Sequence, residues 1–450
     1  MKPLNAGDQL PNIVVPPPGP HSRRLAARLV RVESRHVTAI GHDFPIFWRD
    51  ALGANVLDVD GNVYIDLTAG FAVAAAGHRN PRVVDAVKRQ LDSLAHGMGD
   101  VHPPEIKVRL LERLAEIAPG DLSQTILSSS GSEAVEAALK TARLATGKPG
   151  VLCFGRAYHG LTYGALAVTD GDLFRAPFID QLGIPAVRVP FPDPYRPSPD
   201  LQGLGDLLDA ALEVAARRLD PDGSVGAVIV EPILGRGGIV VPPVGFLRGL
   251  RRLCDERGLV LIFDEVYTGF GRTGRWFACQ HEDVVPDLLC IGKALTGALP
   301  FSACIGRPEI MSAWPPSRGE AMHTSTFIGH PLGCAAALAQ IEEIEGQRLV
   351  ERAQRLGERV MGRLRDIQTR CPSVGDVRGR GLLVGIEIVR DPASRAPDPE
   401  RTAELVTGAL QRGVILLAGG HILELSPPLT ISESQLDAAL DVLEGLLVAA

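Results

Sequence analysis

Between about residue 80 and residue 335, short apolar runs alternate with amphipathic stretches, and this alternation restricts the fold more than any other feature. The runs are Thr125–Leu127, Val151–Phe154, Ala227–Val230, Leu259–Phe263, Leu288–Ile291 and Ser302–Ile305. Most are apolar at every position instead of every second one, which fits strands covered on both faces. Phe246, Leu250 and Leu253 keep helical spacing between two of the runs. Strands joined by helices pair in parallel, so the pattern predicts an α/β domain with a mostly parallel sheet under helices.

The rest of the chain reads differently. The first twenty residues carry Val15-Pro16-Pro17-Pro18-Gly19-Pro20 and predict an irregular arm. Asp60-Gly61-Asn62, between Asn55–Val59 and Val63–Leu67, predicts a hairpin. After about residue 338 come a helix rich in Glu and Arg, the strand candidates Leu382–Val389 and Val414–Leu417, and a last helix. This predicts a second, smaller α+β domain, as a chain of 450 residues leads one to expect.

A net charge of −7 gives no footprint for nucleic acid, and no run approaches the length of a membrane span. No secretory leader is evident, so a cytoplasmic address is expected. The seven cysteines are scattered without a CxxC and read as buried thiols. His323 and His330 have no ligand-spaced Cys or carboxylate beside them, so no metal is expected.

In a doubly wound sheet, ligands collect at the carboxyl ends of the strands. Those ends read Ser128-Ser129-Ser130-Gly131-Ser132-Glu133, Ala157-Tyr158-His159-Gly160, Glu231-Pro232, Asp264-Glu265-Val266 and Gly292-Lys293-Ala294. The serine-glycine run opens a helix whose apolar face is Val135, Ala138, Leu139 and Ala142, starting near Ser132. Its free N–H groups form an anion site, although plain capping by Ser130 or Ser132 explains the same residues. Asp264 ends an apolar strand and is expected to be desolvated, needing a cation such as a protonated ring nitrogen. Among six lysines and forty arginines, Lys293 is the only lysine after Lys148. A lysine retained at a strand end indicates a need for an amine, since guanidinium forms no imine. Gly269-Phe270-Gly271-Arg272-Thr273-Gly274 matches a dinucleotide fingerprint, but no helix is predicted after it, which leaves a nicotinamide oxidoreductase as a remote reading.

Together with Thr326-Phe327-Ile328-Gly329-His330-Pro331, these motifs resemble, in order, those of class III aminotransferases, the family of 4-aminobutyrate and acetylornithine aminotransferases. The resemblance runs from about residue 20 to the C-terminus. It implies a fold-type-I enzyme dependent on pyridoxal 5′-phosphate (PLP) that moves an amino group between an amine or amino acid and a keto acid or aldehyde. Residues 1–79 would then form an N-terminal arm and part of the small domain, 80–338 the large PLP-binding domain, and 339–450 the rest of the small domain. Lys293 would carry PLP as a Schiff base and shuttle the proton, with Asp264 on the pyridinium. Ser130, Gly131 and Ser132 would bind the phosphate, joined by Thr326 from the other subunit of a homodimer. Tyr158 would stack on the ring, Val266 would pack on its other face, and His159 and Glu231 would complete the cofactor site.

Departures from the family pattern bear on the substrate. Leu161 stands where 4-aminobutyrate enzymes carry an arginine. Glu424 replaces a carboxylate-gripping arginine late in the chain, and Arg236 replaces the glutamate that often pairs with it. The two charges are exchanged, so Arg236 and Glu424 are expected to face each other. Phe71 is expected to line the substrate pocket and favour apolar or aromatic amines. On the same fold, an amino-acid racemase or epimerase, or a phospholyase, would use the same Lys293 and Asp264.

Overall fold

The computed structural model describes residues 3–39, 45–219 and 223–448. The chain divides into two compact units, one made of Met1–Pro81 with Arg355–Ala450 and the other of Arg82–Gln354.

The unit Arg82–Gln354 is built on a seven-stranded sheet. Its order is Gln124–Ser128, Ser302–Gly306, Leu288–Ile291, Val260–Asp264, Val225–Val230, Gly150–Phe154, Ala186–Val189. Only Ser302–Gly306 runs antiparallel to its neighbours; the other pairings are parallel. Every residue of the five strands from Gly150–Phe154 to Ser302–Gly306 named as apolar runs is buried. Each Ile, Leu or Phe buried in this way contributes roughly 1.5–3 kcal/mol, so the core fixes the strand order. The edge strand Ala186–Val189 is the one the apolar pattern passes over. Its Arg188 donates to the carbonyls of Ala167 and Thr169, a polar position that hides a strand in sequence.

The helix Gly131–Thr146 crosses this sheet with small residues on its buried face, Ala134, Ala137, Ala138 and Ala142. They bring its backbone close to Ile262, Cys290 and Cys304 of the strands beneath. The helix starts at a capping box between Ser130 and Glu133 and stops at Gly147, whose φ of 70° is left-handed.

In the other unit, Asn55–Asp58 and Val63–Asp66 form the expected antiparallel hairpin. Trp48–Leu52 and Val414–Ile415 complete that four-stranded sheet. A second sheet runs Val374–Arg380, Leu383–Asp391, Ile422–Leu425, Leu417–Gly419. The Glu- and Arg-rich segment is two helices, Pro331–Gly346 and Leu349–Arg370, and only the second lies mainly in this unit. Among the described residues, no helix is long and apolar enough to cross a membrane.

Candidate active site

At the carboxyl ends of the strands, a cavity of about 240 Å³ is lined by the serine-glycine run, Tyr158, His159, Glu231, Arg236, Asp264, Val266, Tyr267 and Lys293. Each strand contributes because its apolar body is held in the core and its first polar residue emerges at the sheet's rim.

The helix N-terminus at one end is only partly used by its own cap. Ser130 Oγ accepts from the Glu133 N–H at 3.3 Å, and Glu133 Oε2 accepts from the N–H groups of Ser129 and Ser130. Ser132 Oγ accepts from Leu161 N–H at 2.9 Å. Both serine hydroxyls act as acceptors in these bonds and keep an O–H to donate, and the Gly131 and Ser132 N–H groups at the positive end of the helix are placed for an anion as well. Capping and anion binding are compatible here. The glycines keep the approach open: a Cβ on Gly131 would meet Val266 Cγ1 at 3.0 Å, and one on Gly292 would meet it at 3.3 Å. Val266 fills the gap between them.

On the cavity floor, Asp264 Oδ2 lies 2.8 Å from His159 Nδ1, and Oδ1 accepts from Val266 N–H at 3.1 Å. Asp264 is buried, as its place after an apolar strand led one to expect, and the turn at Tyr158–Gly160 adds a partner within the chain by laying the imidazole against it. The other ring nitrogen, His159 Nε2, is buried without a hydrogen-bond partner in the described chain. Glu231 is also buried and accepts from Tyr158 N–H at 2.8 Å and Gly235 N–H at 2.9 Å. Burial pushes its carboxyl up to about 7, Asp264 adds to the rise, and His159 and the two N–H groups oppose it. Glu265 points the other way, into the core, where it accepts from the N–H groups of Ala278 and Cys279 and from Thr268 Oγ1. It therefore ties down the glycine-rich loop Gly269–Gly274, and no long helix opens there.

Lys293 follows Leu288–Ile291 with φ of 40°, a left-handed value unusual for a residue with a side chain. Its Nζ lies 4.9 Å from the centroid of the Tyr267 ring. Arg236 spreads its guanidinium over Tyr158 at 4.6 Å and Phe174 at 5.3 Å. The sequence reading missed Tyr267 and Phe174. Tyr267 had a signal available, being the third residue after Asp264; Phe174 sits on the short helix Asp172–Arg175 with none.

Not every expected residue lines this cavity. Leu161 is 48% exposed and reaches the site only through its backbone, and Thr326 is exposed on the segment before Pro331. Phe71 and Glu424 belong to the other unit. Phe71 is 62% exposed on a turn in which Ala69, Gly70, Phe71 and Ala72 all have positive φ. Glu424 is 7% exposed on Ile422–Leu425.

An anion cradle on a helix N-terminus, a buried carboxylate and a lysine amine lining one cavity fit a phosphorylated pyridine aldehyde: the donors match its phosphate, the carboxylate its ring nitrogen, the amine its carbonyl carbon. Fold and site thus define a fold-type-I PLP-dependent enzyme. Residues 37–447 match the aminotransferase class-III family, and the chain belongs to it. It is an aminotransferase that works with PLP. A 4-aminobutyrate aminotransferase of Mycobacterium leprae is 40% identical, covering 99% of each chain. An alanine/serine racemase of Pyrococcus horikoshii is 38% identical over 97% of this chain and 92% of its own. An amine transaminase from an uncultivated Pseudomonas species, solved with PLP bound, superposes with a TM-score of 0.86 at 29% identity, covering 93% of this chain and 98% of its own.

Proposed function

We propose that the enzyme transfers an amino group between an apolar or aromatic amine or amino acid and a keto acid or aldehyde, with Lys293 as the amine that binds PLP. The observation that carries this reading is the meeting of Lys293, Asp264 and the open helix N-terminus in one cavity. When bound, PLP supplies an electrophilic carbon for the substrate amine and a protonated ring that takes up the electron pair released at the substrate carbon. Asp264 keeps that ring nitrogen protonated, itself oriented by His159. Gly131 and Ser132 hold the phosphate by their N–H groups, and Ser130 fixes the helix end. Tyr158 and Val266, which line the same cavity, would bound the ring, and Glu231 would complete its site. Lys293 Nζ would take up the proton released at the substrate carbon and hold it for return.

Leu161 removes a side chain that would select a distal carboxylate, which supports apolar substrates over 4-aminobutyrate. Phe71 and Glu424 are part of the reading on the sequence resemblance alone. A homodimer, with Thr326 completing the partner's phosphate site, is supported by exposed Met98, Val101, Met322 and Phe327. The cytoplasm is the proposed address.

Borohydride reduction of the yellow protein should fix a pyridoxyl group on Lys293, read by peptide mass spectrometry. A label on any other lysine would sink the assignment. Lys293→Arg should abolish turnover. Because one relative is named a racemase, the donor panel should be scored both for amino transfer and for loss of optical purity. Racemisation without keto-acid-dependent transfer would overturn the transaminase reading.

A further inference from the structure

Tyr267 is absent from every role above, yet the backbone aims it at the lysine. The turn after Val260–Asp264 is closed by Gly269 N–H donating to the Glu265 carbonyl at 3.0 Å. Successive side chains therefore leave in different directions: Asp264 to the cavity floor, Glu265 into the core, Val266 between Gly131 and Gly292, and Tyr267 to the amine. The ring is confined on its other side. A Cβ on Gly235 would overlap Tyr267 Cδ1, so the ring packs against the bare Cα of that glycine. Gly235 is held in turn by its N–H to Glu231. Lys293 is equally constrained, since its left-handed φ of 40° is a conformation that its neighbours impose.

We infer that Tyr267 is a positioning residue for Lys293, its ring face binding the ammonium form of the lysine whenever the amine is not joined to the cofactor. The inference rests on the reading of Lys293 as the proton carrier. A cation within about 6 Å of an aromatic centroid is attracted by the ring's negative face, and the 4.9 Å separation falls inside that range. The neutral amine gains nothing comparable, so the ring selects the protonated state. It also restrains a flexible four-carbon side chain to one region of the cavity. A lysine that must take a proton from one carbon and deliver it to another benefits from both effects: it keeps the proton between the two events, and it keeps the nitrogen within reach.

The test reads the protonation of Lys293 directly. In the full-length enzyme converted to its pyridoxamine 5′-phosphate form, the amine is free. Brief acetylation with acetic anhydride at a series of pH values, followed by peptide mass spectrometry, gives the midpoint at which Lys293 becomes reactive. Tyr267→Phe keeps the ring and should keep the midpoint. Tyr267→Leu should lower it by about half a pH unit, the size expected of an exposed cation–π contact. Tyr267→Met, also without an aromatic face, serves where the leucine variant does not fold. Gly235→Ala, which displaces the ring without altering Tyr267, should shift the midpoint the same way. In parallel, kcat should fall in the leucine or methionine variant and recover in the phenylalanine one, with KM little changed. An unchanged midpoint in the variants lacking the ring overturns the inference, as does a Phe variant as defective as Leu. Neither result touches the borohydride assignment of Lys293, so the two readings fail separately.

Discussion

The imidazole of His159 and the carboxylate of Asp264 meet at 2.8 Å on the cavity floor, from residues 105 positions apart, and both side chains are buried. The pair means that the Asp264 carboxylate is oriented before any ligand arrives. A pre-set charge aimed at a ring nitrogen costs no reorganisation when the ring is in place.

Asp264→Asn should accordingly separate chemistry from folding. The amide oxygen can still accept from His159, which leaves only the Val266 N–H without its acceptor, so stability should fall by no more than about 1 kcal/mol. The charge opposite the ring nitrogen is gone, and kcat should fall by more than about a hundredfold, or about 2.7 kcal/mol of barrier. A variant within about tenfold of wild type would contradict the role. His159→Ala should do the reverse in emphasis: it strips a partner from a buried carboxylate and should cost about 1–3 kcal/mol of stability in denaturant titration.

Glu231 predicts a dependence of stability on pH. Its carboxyl is raised by burial from an ordinary 4.5 to about 7 in the folded protein. The folded state therefore holds a proton that the unfolded chain has released between these values, and stability contributed by this group falls as pH rises across that window. The contribution is fully present below about 4.5 and lost by about 7, amounting to no more than about 3 kcal/mol. Glu231→Gln cannot titrate, so its stability curve should be flatter than wild type between pH 4.5 and 7. It should also be less stable at pH 5, because the amide nitrogen cannot accept from Gly235 N–H. Parallel curves for the two proteins would refute the titration.

How much of this was legible in the sequence follows from what each residue depends on. Asp264 and Lys293 stand out because each interrupts an apolar run, and a strand buried on both faces leaves its first polar residue at the sheet's rim. The five buried strands were legible for the same reason. The edge strand Ala186–Val189 was not, since Arg188 breaks its apolar pattern for a partner found only in three dimensions. The His159–Asp264 pair and the stack of Arg236 on Tyr158 and Phe174 were illegible too. They join segments whose separation carries no periodic signal, and rotamers decide whether they touch. Tyr267 was missed because its neighbours Asp264 and Val266 already fitted the resemblance.

Gly160 predicts a defect in cofactor retention. Its φ of 124° is one that side chains rarely adopt, and a Cβ there would overlap Ser132 Oγ and stand 2.9 Å from Ser132 Cα. Gly160→Ala must push the Tyr158–Leu161 turn away from the helix N-terminus, losing the Leu161 N–H bond to Ser132. The dissociation constant for PLP should rise by at least about tenfold, the effect of some 1.4 kcal/mol. Cofactor release measured by gel filtration and absorbance checks this, and wild-type retention would show that the close approach is not needed for phosphate binding.

Arg236 predicts a split between classes of substrate. Its guanidinium carbon sits 4.6 Å from the Tyr158 ring centroid and 5.3 Å from that of Phe174, and a guanidinium held over rings still has an N–H edge to offer. That edge is the part that grips a carboxylate with two parallel hydrogen bonds. Stacking removes much of the freedom of a long side chain, which leaves less entropy to lose when a carboxylate binds. Arg236→Ala should therefore raise KM for amino acids and keto acids by about tenfold to a hundredfold, as expected for a charged hydrogen bond of roughly 1.5–3 kcal/mol. The KM of a donor without a carboxylate, such as 1-phenylethylamine, should stay within about twofold of wild type. Arg236→Lys keeps the charge but neither the plane nor the fork, and should recover only part of the loss. Phe174→Leu, which removes one stacking face, should weaken carboxylate binding in the same direction and to a smaller extent. Equal losses for carboxylate and simple amine donors would mean that Arg236 supports the wall of the site through Tyr158 and does not meet the substrate.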